Sequence, residues 1–110
     1  MKVIKGTFKI NRSEEHGWVE HEGSYAISFP FYVHRTEKQY GWRLSHMATG
    51  RNIIANIRTI QKARELARKL SKYDVFLMPC IDTWCKALER MRTNNPQEYD
   101  KLLAIVKGDY

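Results

Sequence analysis

The chain has 110 residues, 43% of them hydrophobic and 28% charged, and a formal net charge of +7. That length fits one domain with one core, and the composition excludes a disordered chain. No stretch approaches the ~20 apolar residues of a membrane helix, and Met1 to Gly6 lacks the apolar run of a secretory signal, so the expected location is the cytoplasm with no membrane partner.

The first half reads as strands. Val3 to Ile10 mixes apolar and polar residues as a first strand. Residues 11–23 are polar, with Glu14, Glu15, Glu20 and Glu22 forming an acidic loop interrupted by Trp18 and Val19, either as a loop or as a short hairpin arm. Tyr25 to Arg35 alternates strictly, which puts Tyr25, Ile27, Phe29, Phe31 and Val33 on one face. Pro30 marks that strand as an edge or a bulge. Thr36 to Gln39 is a hairpin loop, and Tyr40 to His46 the return strand, with Tyr40, Trp42, Leu44 and His46 on one face. Residues 48–51 form a turn in which Gly50 suits a positive φ. Asn52 to Ile57 is the last strand.

The second half reads as helices. Thr59 caps a helix over 60–72 in which Ile60, Ala63, Leu66, Ala67 and Leu70 share one face. Two readings stay open for residues 75–79: a short strand or a buried turn. Asp82 caps a helix running to about Arg92, with Trp84, Ala87, Leu88 and Met91 on one side. Asn95, Pro96 and Glu98 open a third helix that Gly108 ends. Strands first and helices second give the α+β class. The expected architecture is one domain over 1–110: an antiparallel sheet of three to four strands (1–57) covered by the basic helix, then a C-terminal αα-hairpin (58–110).

Charge points to function. Residues 58–72 hold six basic side chains and one acid, Glu65. Arg58, Lys62, Arg64, Arg68, Lys69 and Lys72 fall off the apolar stripe and meet solvent or a polyanion. Arg35, Arg43 and Arg51 from the hairpin and turn extend that surface. Tyr32 and His34 lie opposite the expected core face, placed to stack or hydrogen-bond with bases. The competing readings are a solvated helix face and an edge strand kept soluble by charge.

Metal and catalytic readings are weaker. His16 and His21 sit near Glu20 and Glu22, but the closely paired ligands of structural zinc sites are absent, so no metal or other cofactor is assigned. Cys80 and Cys85 read as small core residues in a reducing compartment. Cys80 stands near a helix start, yet no nucleophile–base signature or phosphate loop accompanies it, so no catalytic residue is assigned.

The run Trp42-Arg-Leu-Ser-His-Met-Ala-Thr-Gly50, followed by a short apolar strand and a helix holding Ala63 and Leu66, resembles small accessory proteins of phages and mobile elements. The resemblance covers residues 42–70. It implies an accessory role, either nucleic-acid binding or interference with a host defence or replication complex, and it identifies no active-site residue. The leading expectation is a non-enzymatic protein that binds DNA or RNA. The alternative is an anti-CRISPR-like inhibitor docking on a host nucleoprotein complex, in which Glu14, Glu15, Glu20 and Glu22 face a basic groove. Both a monomer and a homodimer fit the sequence.

Overall fold

The computed structural model describes residues 2–13, 17–36 and 40–107, without the side chains of residues 12 and 13. Five strands run in chain order through one antiparallel meander among the described residues: β1 (Ile4–Ser13), β2 (Gly17–Ser28), β3 (Phe31–Thr36), β4 (Trp42–His46) and β5 (Asn52–Ile57). Then come α1 (Ile60–Leu70), a 3-10 turn (Asp74–Leu77), α2 (Ile81–Asn94) and α3 (Pro96–Lys107). The fold is α+β, and no described helix is long and apolar enough to cross a membrane.

The sheet has five strands where the sequence predicts three to four. The difference arises at two places. Residues 17–23, expected as an acidic loop or short arm, continue a strand paired with β1 from Ile4↔Tyr25 to Ser13↔Gly17. Residues 25–35, expected as one strand, are two, because Phe29 and Pro30 form a two-residue turn between Ser28 and Phe31. A reversal there flips the alternation. Phe31 faces Ser28, and Val33 faces Ala26, so Phe31 and Val33 join the core with Ala26. Ile27 pairs with Tyr32 on the other face and stays 51% exposed, while Phe29 at the turn is 70% exposed. Pro30 is accommodated by the turn, where no ladder donor is needed. The expected loop at 37–39 lies outside the described residues.

One side of the sheet is covered. Phe31, Val33, Leu44, Ile54 and Ile57 from the strands meet Ala63, Leu66, Ala67 and Leu70 of α1. Val75 and Phe76 of the 3-10 turn and Leu102 of α3 complete this buried set. The turn resolves the open reading of 75–79, and places Phe76 edge-on to Phe31 with ring centroids 4.9 Å apart. Thr59 caps α1, its hydroxyl accepting from the Lys62 N–H at 3.1 Å. α2 and α3 pack on each other, with Trp84, Ala87, Leu88 and Met91 half-buried against the core.

The helix-free face is concave. In a flat sheet β1 and β3 would lie roughly 10 Å apart. The rings of Phe8 and His34 nevertheless approach to 4.7 Å across β2. The free edge of β1 also meets the turn after β4, where the Asn11 N–H donates to the Gly50 carbonyl at 2.9 Å, and β1 touches β5. The meander is therefore curled toward a barrel, which buries Phe8 and Ile10 without any helix over them.

Candidate nucleic-acid interface

α1 decides where the basic residues go. With 1.5 Å of rise per residue, Arg58 to Lys72 covers ~21 Å. Because Ala63, Leu66, Ala67 and Leu70 turn inward, the intervening cations stand on the flanks and the outer crest. Arg58, Arg68 and Lys72 are exposed and enter no ion pair among the described residues. Lys62, Arg64 and Lys69 are half-buried. Glu65 lies 3.6 Å from the Lys62 Nζ and 3.6 Å from the Lys69 Nζ. Pairs of this kind on a wet helix contribute ~0.3–0.5 kcal/mol each. They hold two cations in place more than they stabilise the fold.

The hairpin residues divide between the two faces of the sheet. Arg35 shares the α1 side with Val33, and its guanidinium lies 5.3 Å from the centroid of the Trp42 ring. Tyr32, His34 and Arg43 are on the helix-free face: Tyr25, His34 and Arg43 stand opposite one another across three strands. The expected single surface of α1, Tyr32, His34 and Arg43 is thus split by the sheet itself. Arg51 is half-buried, its N–H donating to the Thr49 hydroxyl at 3.3 Å.

His34, expected at the surface, is buried. It is 1% exposed, tucked under Phe8, with its Nε2 2.7 Å from the Ser45 Oγ. Burial, and then the nearby Arg43 and His21, lower its pKa to about 4, so the ring is neutral at physiological pH. The alternation rule correctly takes His34 away from the α1 core, but the curl of the sheet creates a second small core that a local pattern does not reveal. Tyr32 remains half-buried on that face, edge-on to Tyr25 at 6.3 Å.

Of the four acidic residues of the expected loop, two are described. Glu14 and Glu15, like His16, lie outside the described residues. Glu20 and Glu22 stand on β2, on the α1 side by register, and Glu20 pairs with Lys9 at 3.8 Å. His21 points to the opposite face. A His21–Glu20–Glu22 metal site is therefore ruled out by the pleat, and no cluster of three or more metal-ligating side chains occurs among the described residues.

The cysteines are also placed differently from expectation. Cys80 and Cys85 are both exposed, because α2 presents only its Trp84–Met91 stripe to the core. Cys80 occupies the N-cap position of α2, and its Sγ is 3.3 Å from the Thr83 hydroxyl. Hydrogen bonding from Thr83 lowers the Cys80 thiol pKa below its ordinary value.

Two features escaped the sequence reading. Lys5 and Lys9 of β1 share the α1 side of the sheet with Arg35, an assignment that requires the β1–β2–β3 register. His46, read only as one of an alternating set, is fully buried and holds the turn after β4 against the 3-10 turn, through Thr49 on one side and the Phe76 carbonyl on the other. Its Trp-Arg-Leu-Ser-His context and the following Thr49 were the available signal. Comparison of the chain with protein-family models, with curated proteins and with solved structures finds no match.

Proposed function

We propose that this chain is a small, non-enzymatic nucleic-acid-binding protein whose working surface is the outer side of α1 together with Arg35. One observation carries the reading. The apolar stripe of α1 faces the sheet, which leaves Arg58, Lys62, Arg64, Arg68, Lys69 and Lys72 outside the core against the single acid Glu65. A polyanion lying there releases condensed counterions, which makes affinity fall log-linearly with salt. Tyr32 and Arg43 belong to the far face and are not part of this surface. Of the acidic residues on which the inhibitor reading rests, the two described ones have cations beside them: Glu20 pairs with Lys9, and Glu22 shares a hollow with Lys5 and Arg35.

The test is fluorescence anisotropy on labelled single- and double-stranded DNA and RNA across a salt series. Binding should weaken steeply with salt, and Arg68→Glu with Lys72→Glu should abolish it at moderate salt while the circular dichroism stays unchanged. Absence of binding at low salt, or binding indifferent to salt and to both substitutions, would sink the reading.

A further inference from the structure

A hollow of about 260 Å³ opens where β1, β2 and β3 meet, lined by Lys5, Glu22, Ser24, Arg35 and Thr36. Gly6 and Gly23, opposite one another in the β1–β2 ladder, contribute backbone and no side chain to its wall. A Cβ on either glycine would point to the opposite, helix-free face, and on Gly23 it would collide with the Arg35 carbonyl oxygen, so glycine there permits the close approach of β2 and β3 beside the hollow. Lys5 is opposite Ser24 and Ser24 opposite Arg35, so these three share one face, and Glu22, two residues before Ser24, shares it too. That face is the α1 side.

The charges here are unspent. Lys5, Glu22 and Arg35 are all exposed around one hollow, yet none of them pairs with another among the described residues. Arg35 lies against the Trp42 ring, and among the described residues no carboxylate pairs with it. Two cations and a hydroxyl suit a phosphate. A carboxylate in the same place repels phosphate and needs a donor instead. A ribose unit offers both, a phosphate for Lys5 and Arg35 and a 2′-hydroxyl to donate to Glu22, as carboxylates do for ribose in dinucleotide sites. The volume lies just below the ~300 Å³ at the low end of ligand pockets, which suits one sugar–phosphate unit.

We infer that this hollow is the point at which the protein selects RNA over DNA, with Glu22 accepting the 2′-hydroxyl of one nucleotide whose phosphate is held by Lys5 and Arg35. The inference rests on the proposed nucleic-acid binding and specifies its substrate class.

The experiment compares anisotropy of one labelled oligonucleotide sequence, made as single-stranded RNA and as DNA, at fixed salt. The wild-type chain should prefer RNA. Glu22→Ala should lower RNA affinity roughly tenfold, the size of one hydrogen bond to a charged group, and leave DNA affinity unchanged or slightly higher. Glu22→Gln, which keeps an acceptor, should fall between. Arg35→Ala should weaken both nucleic acids alike. Equal wild-type affinity for RNA and DNA, or a Glu22→Ala protein that binds both more tightly by the same factor, would overturn the inference while leaving the binding reading intact. No binding to either at low salt would remove the binding reading itself.

Discussion

His46 and Phe76, thirty residues apart, are joined by a hydrogen bond in which the imidazole Nε2–H donates to the Phe76 backbone carbonyl at 2.5 Å. That assignment makes Nδ1 the acceptor, which the Thr49 hydroxyl satisfies at 2.9 Å. Burial lowers the pKa of His46, so the neutral ring is the form that holds the contact, with the Phe76 carbonyl partly opposing the shift. The ring also lies 5.6 Å from the Trp84 ring and 6.0 Å from that of Phe76. One side chain thus ties the sheet to the helical half.

Replacing that side chain should be costly. His46→Ala removes two buried hydrogen bonds and leaves a cavity between the rings of Phe31, Phe76 and Trp84, for a loss of about 3 kcal/mol in urea unfolding. Thr49→Val should cost about 1–2 kcal/mol, by leaving Nδ1 unsatisfied. A His46→Ala protein within 1 kcal/mol of wild type would show that the latch is dispensable.

His34 makes stability depend on pH. Its pKa is about 4 in the folded chain against 6.5 when unfolded, so between these values the unfolded chain binds more protons. Stability therefore rises with pH across that window: it is fully present above about 6.5 and is lost as pH falls toward 4. A tenfold change in proton affinity is worth ~1.4 kcal/mol, so the full window carries about 3 kcal/mol. Unfolding midpoints at pH 7.5 and pH 5 should separate clearly in the wild type. His34→Gln keeps a polar partner for Ser45 but no titration, and should be less stable at pH 7.5 yet flatter between the two, with the residual slope belonging to His46, whose pKa burial also lowers. An equal drop in both proteins would place the pH dependence elsewhere.

Where local pattern and tertiary setting agree, the sequence was readable. Thr59 and the spacing of Ala63, Leu66, Ala67 and Leu70 define α1 without help from the sheet, and Trp42, Leu44 and His46 share the face that alternation assigns. The errors come where tertiary structure overrides the pattern. The two-residue turn at Phe29–Pro30 moves Phe31 and Val33 to the opposite face from Ile27, although all three fit one alternating run. Glu20 and Glu22 are polar because both project to solvent from a strand, and a polar run reads as a loop. His34 looks solvent-facing until β1 curls Phe8 over it. The cations of α1 were legible because a helix period separates them from the core. Their division from Tyr32 and Arg43 depends on strand register.

Gly50 is a second point where backbone geometry admits no substitute. Its φ is +69°, and a Cβ would fall 2.5 Å from the Trp18 ring and 2.6 Å from the Asn11 nitrogen that donates to Gly50. Gly50→Ala should therefore cost roughly 2–3 kcal/mol through the left-handed conformation and the overlap together. Adding Trp18→Ala should recover only part of that loss, because the clash with the β1 backbone persists. Full recovery in the double variant would assign the whole cost to the indole.

The two exposed thiols should differ in reactivity. The Thr83 hydrogen bond favours the Cys80 thiolate, and the N-terminus of α2 adds a partial positive charge. Alkylation by iodoacetamide at pH 7.5, followed by peptide mass spectrometry, should label Cys80 several-fold faster than Cys85. Thr83→Val should bring the two rates together. Equal rates in the wild type would contradict the placement of the hydroxyl at Sγ.

Glu65 gives the sharpest test of how α1 spends its charge. It is the one acid between residues 58 and 72, and it holds Lys62 and Lys69 at equal distances. A nucleic acid on this surface competes with that carboxylate for both ammonium groups. Glu65→Gln raises the local charge by one and removes this carboxylate's hold on both ammonium groups, so affinity should rise several-fold at low salt. The slope of log affinity against log salt should steepen by up to about one phosphate. Fold stability should change by less than about 1 kcal/mol, since partly exposed pairs on a helix are weak. The opposite outcome has its own meaning. If Glu65→Gln weakens binding with no loss of stability, the carboxylate orients the lysines toward phosphate, and Glu65→Ala would weaken binding further. If neither variant changes affinity or slope, Lys62 and Lys69 lie outside the contact surface, and binding is confined to the crest marked by Arg68 and Lys72.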